Sequence, residues 1–300
     1  MHLQPLEKSP MFTGTLTAIV TPFRSGKLDE QAFGDLIEWQ IANGTNGIVP
    51  CGTTGESATL SHQEHHRVVE LTIEVVNRRI PVIAGTGSNS TAEAVSLTKH
   101  AKQAGADGAL IITPYYNKPM QEGLYRHYKA IAESVDLPQI LYNIPGRTGV
   151  NMLPSTVARL CGLPNIVGIK EGSGSVQQAS EIASTCGDRI TILAGDDALT
   201  LPMMAVGGKG VISVTSNIVP SQMAQLTQAF LSDRFDEARR IHFALSPLFN
   251  ALFYETNPIP VKTALGLMGK IDPELRLPLC TMATETKDKL TRVLKDAGLI

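Results

Sequence analysis

Eight short apolar segments rich in β-branched residues recur at fairly even intervals: LTAIVTP (16–22), GIVPCG (47–52), PVIAGTG (81–87), GALIITP (108–114), PQILYNIP (138–145), IVGIKEGS (166–173), ITILAGDD (190–197) and GVISVTSN (210–217). Between them lie stretches with the apolar spacing of helices, such as DEQAFGDLIEWQIANG, SHQEHHRVVELTIEVVNR and STAEAVSLTKHAKQAGA. The last two open on a serine suited to an N-cap. Near-continuous apolar strands alternating with amphipathic helices call for a parallel sheet covered by helices, and eight such units predict a closed (β/α)₈ TIM barrel, an α/β fold. The competing arrangement is an open, doubly wound sheet. Against it, no strand-adjacent G-x-G-x-x-G opens a helix, and the units continue without a break in composition.

Beyond about residue 220 the strand pattern stops, and the remainder reads as helices joined by Pro-rich turns. The expected organisation is an N-terminal extension at 1–10, a catalytic barrel at 11–232 and a C-terminal helical domain at 233–300. The chain has 300 residues, 43% hydrophobic and 18% charged, with a net charge of -2, enough apolar material for a large core. Without basic tracts or charge blocks, nucleic acid and anionic membrane are poor partners, and small molecules are better ones. Cys51, Cys161, Cys186 and Cys280 are widely spaced, no secretory leader precedes them and no run of 18 apolar residues occurs. Free thiols and a cytoplasmic location follow as expectations.

In a barrel of this kind chemistry sits at the C-terminal ends of the strands. Those ends carry Thr21, CGTTGES (51–57), TPYYNKP (113–119), YNIPGRT (142–148), KEGSG (170–174) and GDD (195–197). The set suits a carbonyl substrate. An amine among apolar neighbours loses solvation of its ammonium form, which frees it to attack a ketone, and Lys170 is the lysine so placed. The plainer alternative is a lysine reaching the rim beside Glu171. Imine chemistry also needs a proton shuttle and donors for a carboxylate. Tyr142 and the Thr53–Thr54 pair offer hydroxyls, although each could be an ordinary packed or turn residue. Arg147, after Pro145-Gly146, could hold a carboxylate bidentately or serve as an exposed salt-bridge partner.

Three other stretches attract attention and carry less. His62 and His65 in SHQEHH could share a helix face as metal ligands, but no third ligand stands at metal-site spacing, and an imine needs no metal. VGGKGVIS (206–213) resembles the approach to a barrel phosphate site, yet Asp196 and Asp197 would repel a phosphate. GTGSNSTAEA (85–94) lacks the Lys-Ser/Thr ending of a P-loop and is explained as a capped helix start.

From about Phe12 to the C-terminus the chain resembles the dihydrodipicolinate synthase family, now called 4-hydroxy-tetrahydrodipicolinate synthase. The stretches that carry the resemblance are GTTGES, PVIAGTG, TPYYNKP, QEGLYRHY, LYNIPGRTG, GIKEGSG, AGDDAL, GVISVTSN and NPIPVK. It implies a lysine-imine lyase that condenses pyruvate with L-aspartate 4-semialdehyde on the way to diaminopimelate and lysine, without a cofactor. It further implies that Lys170 forms the imine, that Tyr142 donates and accepts protons, and that Thr53 links Tyr142 to Tyr116 of a neighbouring subunit. Thr54, Gly195 and Ile212 would line the pyruvate site, and Arg147 would orient the semialdehyde carboxylate. The family is similar in forming homotetramers, and many bacterial members are inhibited by L-lysine. Ser57, Ala58, His62, His65, Asn89, Glu93 and Tyr115 match that effector pattern. The departures are the N-terminal extension and Gly172 through Gly174. N-acetylneuraminate lyase and 2-keto-3-deoxygluconate aldolase share the lysine and tyrosine, but they resemble the NIPGRTG stretch without its arginine. A non-catalytic barrel sensing pyruvate or lysine is the alternative from another class.

Overall fold

A computed structural model describes residues 11–300; the extension expected at 1–10 lies outside the described residues. The eight segments form eight parallel strands: β1 (Gly14–Ala18), β2 (Gly47–Val49), β3 (Ile83–Gly85), β4 (Gly108–Ile112), β5 (Gln139–Asn143), β6 (Ile166–Glu171), β7 (Thr191–Ala194) and β8 (Gly210–Ser213). Neighbours in sequence pair in parallel from β3 through β8. β1 pairs with both β8 and β2, and a bridge from Ile48 to Val82 joins β2 to β3. The sheet is therefore a closed barrel.

The strands are shorter than the apolar segments that announce them, and the first shows why. It was expected over 16–22 but runs from Gly14 to Ala18, because the Val20 N–H is taken by the Asn217 side chain at 3.1 Å and Pro22 has no N–H to give. What the sequence presented as strand continues as rim loop.

Alternation along each strand divides the core in two. Leu16, Ala18, Val49, Ile83, Leu110, Ile140, Tyr142, Val167, Leu193 and Ile212 fill the barrel interior. Side chains of the opposite parity face the helices, in a larger cluster that includes Phe33, Ile37, Val68, Ile131 and Leu226. Polar residues facing outward are satisfied there: Thr15 donates to the Met223 carbonyl at 2.8 Å and Thr17 to Gln40 Oε1 at 2.8 Å.

The covering helices are α1 (Glu30–Ala42), α2 (His62–Val76), α3 (Thr91–Ala104), α4 (Gln121–Ser134), α5 (Pro154–Leu160), α6 (Val176–Cys186), α7 (Thr200–Ala205) and α8 (Pro220–Leu231). Ser61 and Ser90 cap α2 and α3, and Ser61 forms a reciprocal capping box with Glu64. Past Leu231 the chain is helical: α9 (Phe235–Ala251), α10 (Ile259–Leu267) and α11 (Thr284–Asp296). α9 packs on α8, and the turn between α9 and α10 reaches over the C-terminal mouth of the barrel.

Candidate active site

Lys170 lies near the end of β6 with its side chain turned into the barrel and only 5% of the residue exposed. The register pairs Tyr142 on β5 with Lys170 on β6, so the two inward side chains stand side by side, with Nζ 4.3 Å from the tyrosine ring centroid. An ammonium over a ring face is held by the ring quadrupole, and a neutral amine there keeps a free lone pair. Lys170, Tyr142, Thr53, Thr54, Arg147, Gly195, Leu110, Val214, Phe253 and Asn257 enclose a tight pocket of about 40 Å³. It communicates through Thr53, Tyr142, Arg147 and Asn257 with a wider cavity of about 550 Å³.

Each polar residue is fixed by its local fold. The Thr53–Thr54 turn follows β2 in a loop tied down by Thr21 Oγ1 donating to the Gly55 carbonyl at 2.7 Å. The same loop is locked by Glu56, whose carboxylate meets Lys262 Nζ at 2.6 Å with both side chains out of solvent. Burial pulls the Lys262 ammonium below the ordinary lysine range, while the facing carboxylate opposes that shift. Thr54 is buried and accepts from Asn257 Nδ2 at 3.0 Å. Arg147 projects from a one-turn helix, Pro145–Thr148, and uses one N–H to hold the Asn257 carbonyl at 3.0 Å. At Gly195 a Cβ would lie 2.8 Å from Gly172 Cα and 2.9 Å from the Glu171 carbonyl. These paired glycines let β6 and β7 close together beside Lys170.

Behind the site, on the outward parity, lies a buried polar network. Glu171 accepts from Ser173 N at 2.6 Å, Gln178 Nε2 at 3.0 Å and Asn143 Nδ2 at 3.2 Å. Asn143 also donates to Asn151 Oδ1 at 2.7 Å, which pins the far end of the loop bearing Arg147. The lysine does not emerge at the rim beside Glu171, because the two face opposite sides of one strand.

Of the residues singled out in sequence, Lys170, Tyr142, Thr53, Thr54, Arg147 and Gly195 meet at this mouth. Ile212 lies in the barrel interior. Tyr116 does not join them within one chain: it is 89% exposed, on a backbone with φ of 72°. Ser57, Ala58, His62, His65, Glu93 and Tyr115 line the wider cavity, whereas Asn89 presents its carbonyl to Asn117 Nδ2 at 2.9 Å. The histidines go to separate partners. His62 Nε2 meets Glu93 Oε1 at 2.9 Å, and buried His65 donates Nε2–H to the Gly85 carbonyl at 2.8 Å. Burial lowers His65 to about 4. Among the described residues no group of three or more His, Cys, Asp or Glu side chains could hold a metal ion.

After β8 the N–H groups of Val214 and Thr215 donate to Asp197 at 3.0 and 2.8 Å, so the donors expected of a phosphate cradle are already engaged. Asn257, Glu56 and Lys262 also shape this mouth, and no role was expected of them from sequence. The signal for Lys262 was present in PIPVKTALG, where a cation sits in an apolar helix as Lys170 sits in an apolar strand.

A family model described as the dihydrodipicolinate synthetase family matches residues 11–297. The chain belongs to this family. A 4-hydroxy-tetrahydrodipicolinate synthase of Thermodesulfovibrio yellowstonii is 61% identical over 97% of this chain and 100% of its own length. Among solved structures of the family, the chloride-inhibited dihydrodipicolinate synthase of Acinetobacter baumannii, complexed with pyruvate, is 49% identical with a TM-score of 0.95, covering 97% of this chain and 100% of that one. The enzyme from Cyanidioschyzon merolae with lysine bound is 41% identical with a TM-score of 0.93, covering 96% and 99%.

Proposed function

We infer that the chain is a 4-hydroxy-tetrahydrodipicolinate synthase, a lyase that joins pyruvate to L-aspartate 4-semialdehyde through an imine on Lys170. The observation that carries this reading is Lys170, buried at the C-terminal mouth of the barrel, with Nζ 4.3 Å from the Tyr142 ring. The Lys170 amine adds to the pyruvate ketone, and Tyr142 supplies the proton with which the carbinolamine hydroxyl leaves as water. Loss of a methyl proton turns the imine into an enamine, whose carbon attacks the aldehyde; the aldehyde oxygen takes a proton and becomes the product hydroxyl. The semialdehyde amine then adds to the imine carbon, and Lys170 departs as the free amine. Thr54 and the backbone around Gly195 and Ile212 receive pyruvate, and Arg147 receives the semialdehyde carboxylate, with four guanidinium N–H groups still available after its bond to Asn257.

Thr53 relays protons between Tyr142 and Tyr116 of the partner subunit. The exposure of Tyr116 supports this, since a tyrosine projecting from one chain can complete the site of another. The assembly proposed is a homotetramer. L-Lysine is proposed as an effector in the wider cavity, where the Glu93 carboxylate, held low by hydrogen bonds from Ser88 and His62, suits an ammonium group. Among the described residues no helix is long and apolar enough to cross a membrane. A cytoplasmic location fits a small-molecule synthase. Borohydride reduction in the presence of pyruvate, followed by mass spectrometry, tests the reading. A covalent adduct is expected on Lys170 and absent in Lys170→Ala; a wild-type protein without the adduct would sink it.

A further inference from the structure

Two of the four cysteines meet on the face of the barrel opposite Lys170. Cys161 caps the C-terminus of α5 ahead of β6, and Cys186 is the last residue of α6, ahead of β7. Both therefore stand at the N-terminal ends of strands whose other ends form the mouth. α5 packs along α6, and both thiols are buried, with 5% and 2% of each residue exposed. The Cys161 thiol donates to the Ala158 carbonyl at 3.1 Å, and the Cys186 thiol donates to the Cys161 sulfur. Arg189 is fixed beside them, donating to the Cys186 carbonyl at 2.9 Å and to the Thr185 carbonyl at 2.6 Å. The hydrogen bond from Cys186 draws the Cys161 thiol below its ordinary range; burial opposes this and the Arg189 charge adds to it, while Cys186, which holds the shared proton, moves up. Cys51 and Cys280 do not share this setting: Cys51 follows β2 at the other end of the barrel, and Cys280 is exposed between α10 and α11.

We propose that Cys161 and Cys186 are a reversible redox pair, which a small peroxide converts to an intrachain disulfide that clamps the ends of α5 and α6 together. The thiolate is the nucleophile in such chemistry, and the neighbouring cation and thiol donor favour it at Cys161. The Cys161 sulfur attacks one peroxide oxygen, the O–O bond breaks, and a sulfenic acid forms as water leaves. The Cys186 sulfur then attacks the Cys161 sulfur, the S–O bond breaks, and hydroxide departs with the Cys186 proton as a second water. The two sulfurs together give up two electrons, and the peroxide receives them. The sulfurs start in hydrogen-bond contact and close to about 2 Å in the disulfide. With so little of either residue exposed, a peroxide reaches the thiols where a bulky disulfide such as oxidised glutathione does not. In a reducing compartment the dithiol is the resting form and the bond a transient response. Segment 161–186 contains β6 and α6, the unit that carries Lys170. Its upper end is already tied by Gln178 and Asn143 to Glu171. The disulfide ties its lower end, and neither cysteine lines the tight pocket.

The test treats the full-length, reduced protein with a stoichiometric amount of hydrogen peroxide, alkylates the remaining thiols and maps the peptides by mass spectrometry. Two of the four free thiols should be lost, with the Cys161 and Cys186 peptides joined. The joined pair should be about 2 Da lighter than the sum of its parts, and dithiothreitol should restore both thiols. Cys186→Ser should stop at a Cys161 sulfenic acid that dimedone traps, whereas Cys161→Ser should yield no sulfenic acid at Cys186. Oxidised wild-type protein should unfold at a higher guanidinium concentration than the reduced form, because the cross-link restricts the unfolded chain, and dithiothreitol should erase the shift. Peptides that stay unlinked, or that link instead to Cys51 or Cys280, overturn the proposal, and so does an oxidised protein that unfolds no later than the reduced one. If either serine variant fails to fold, the wild-type peptide map and unfolding curves decide.

Discussion

Replacing Lys262 by methionine keeps most of the aliphatic stem and removes the cation that faces Glu56. Both side chains are essentially out of solvent, 0% and 1% exposed, and their charges meet at 2.6 Å. The same ammonium donates to the Thr21 carbonyl at 2.9 Å and lies 4.4 Å from the Phe23 ring centroid. The substitution therefore strands a buried carboxylate and a backbone acceptor together. Breaking one side of such a pair costs about 3–5 kcal/mol, against a net stability for folded proteins of about 5–15 kcal/mol. Removing both charges, in Lys262→Met with Glu56→Gln, should recover most of that loss, because the attraction in the pair largely offsets the cost of burying its charges. Guanidinium unfolding at fixed protein concentration, followed by fluorescence of the single tryptophan, Trp39, measures Lys262→Met, Glu56→Gln and the double variant. The single variant should also form the pyruvate adduct more slowly, since Glu56 anchors the loop that carries Thr53 and Thr54. A single-variant cost under about 1 kcal/mol, or a double variant as damaged as the sum of the singles, would refute the reasoning.

Two further outcomes are expected. Arg147→Ala should raise the KM for the semialdehyde about 10- to 100-fold, the scale of a lost charge-assisted hydrogen bond, while leaving pyruvate trapping on Lys170 unchanged; equal loss of both would remove Arg147 from its assigned role. Burial lowers both His65 and His127 to about 4, below the ordinary value of 6.5. The unfolded chain thus takes up protons at these sites below pH 6.5 that the folded chain refuses, so their contribution is fully present above 6.5 and drains away as the pH falls toward 4. Denaturant titrations at pH 7.5 and 5 should show lower stability at pH 5, and a loss of equal size in a His65→Gln, His127→Gln double variant would contradict the assignment.

The barrel was legible in sequence because its signal is repeated. Eight apolar runs and the helices between them constrain one another, whereas the ends of a single strand depend on which partner takes each N–H. The Val20 N–H goes to Asn217, almost two hundred residues away, and nothing local in LTAIVTP announces it. Lys170, Tyr142, Thr53, Thr54 and Arg147 were legible for a related reason, since each lies at or just beyond the C-terminal end of a strand and the strand ends share a rim. Asn257 and Lys262 stand outside that logic. They come from the helical segment after the barrel, and only the packed structure brings Asn257 to Thr54 and Lys262 to Glu56. Glu171 looked like a rim companion of the lysine until strand parity sent it to the other face.

That parity links the stability of this site to its chemistry. On β5 and β6 the pairs Tyr142–Lys170 and Asn143–Glu171 occupy consecutive rungs of one ladder, the first facing the tight pocket and the second the helices. A slip of one residue in β6 that set Lys170 opposite Asn143 would put Ile169 against Tyr142 and bury the amine beside Asn143 and Gln178, whose amide N–H groups now serve Glu171. The amide network therefore accepts a carboxylate and rejects an ammonium. It specifies the register in which Lys170 reaches the pocket, so the position of the Lys170 amine is set by the donors behind it as well as by the hydroxyls in front.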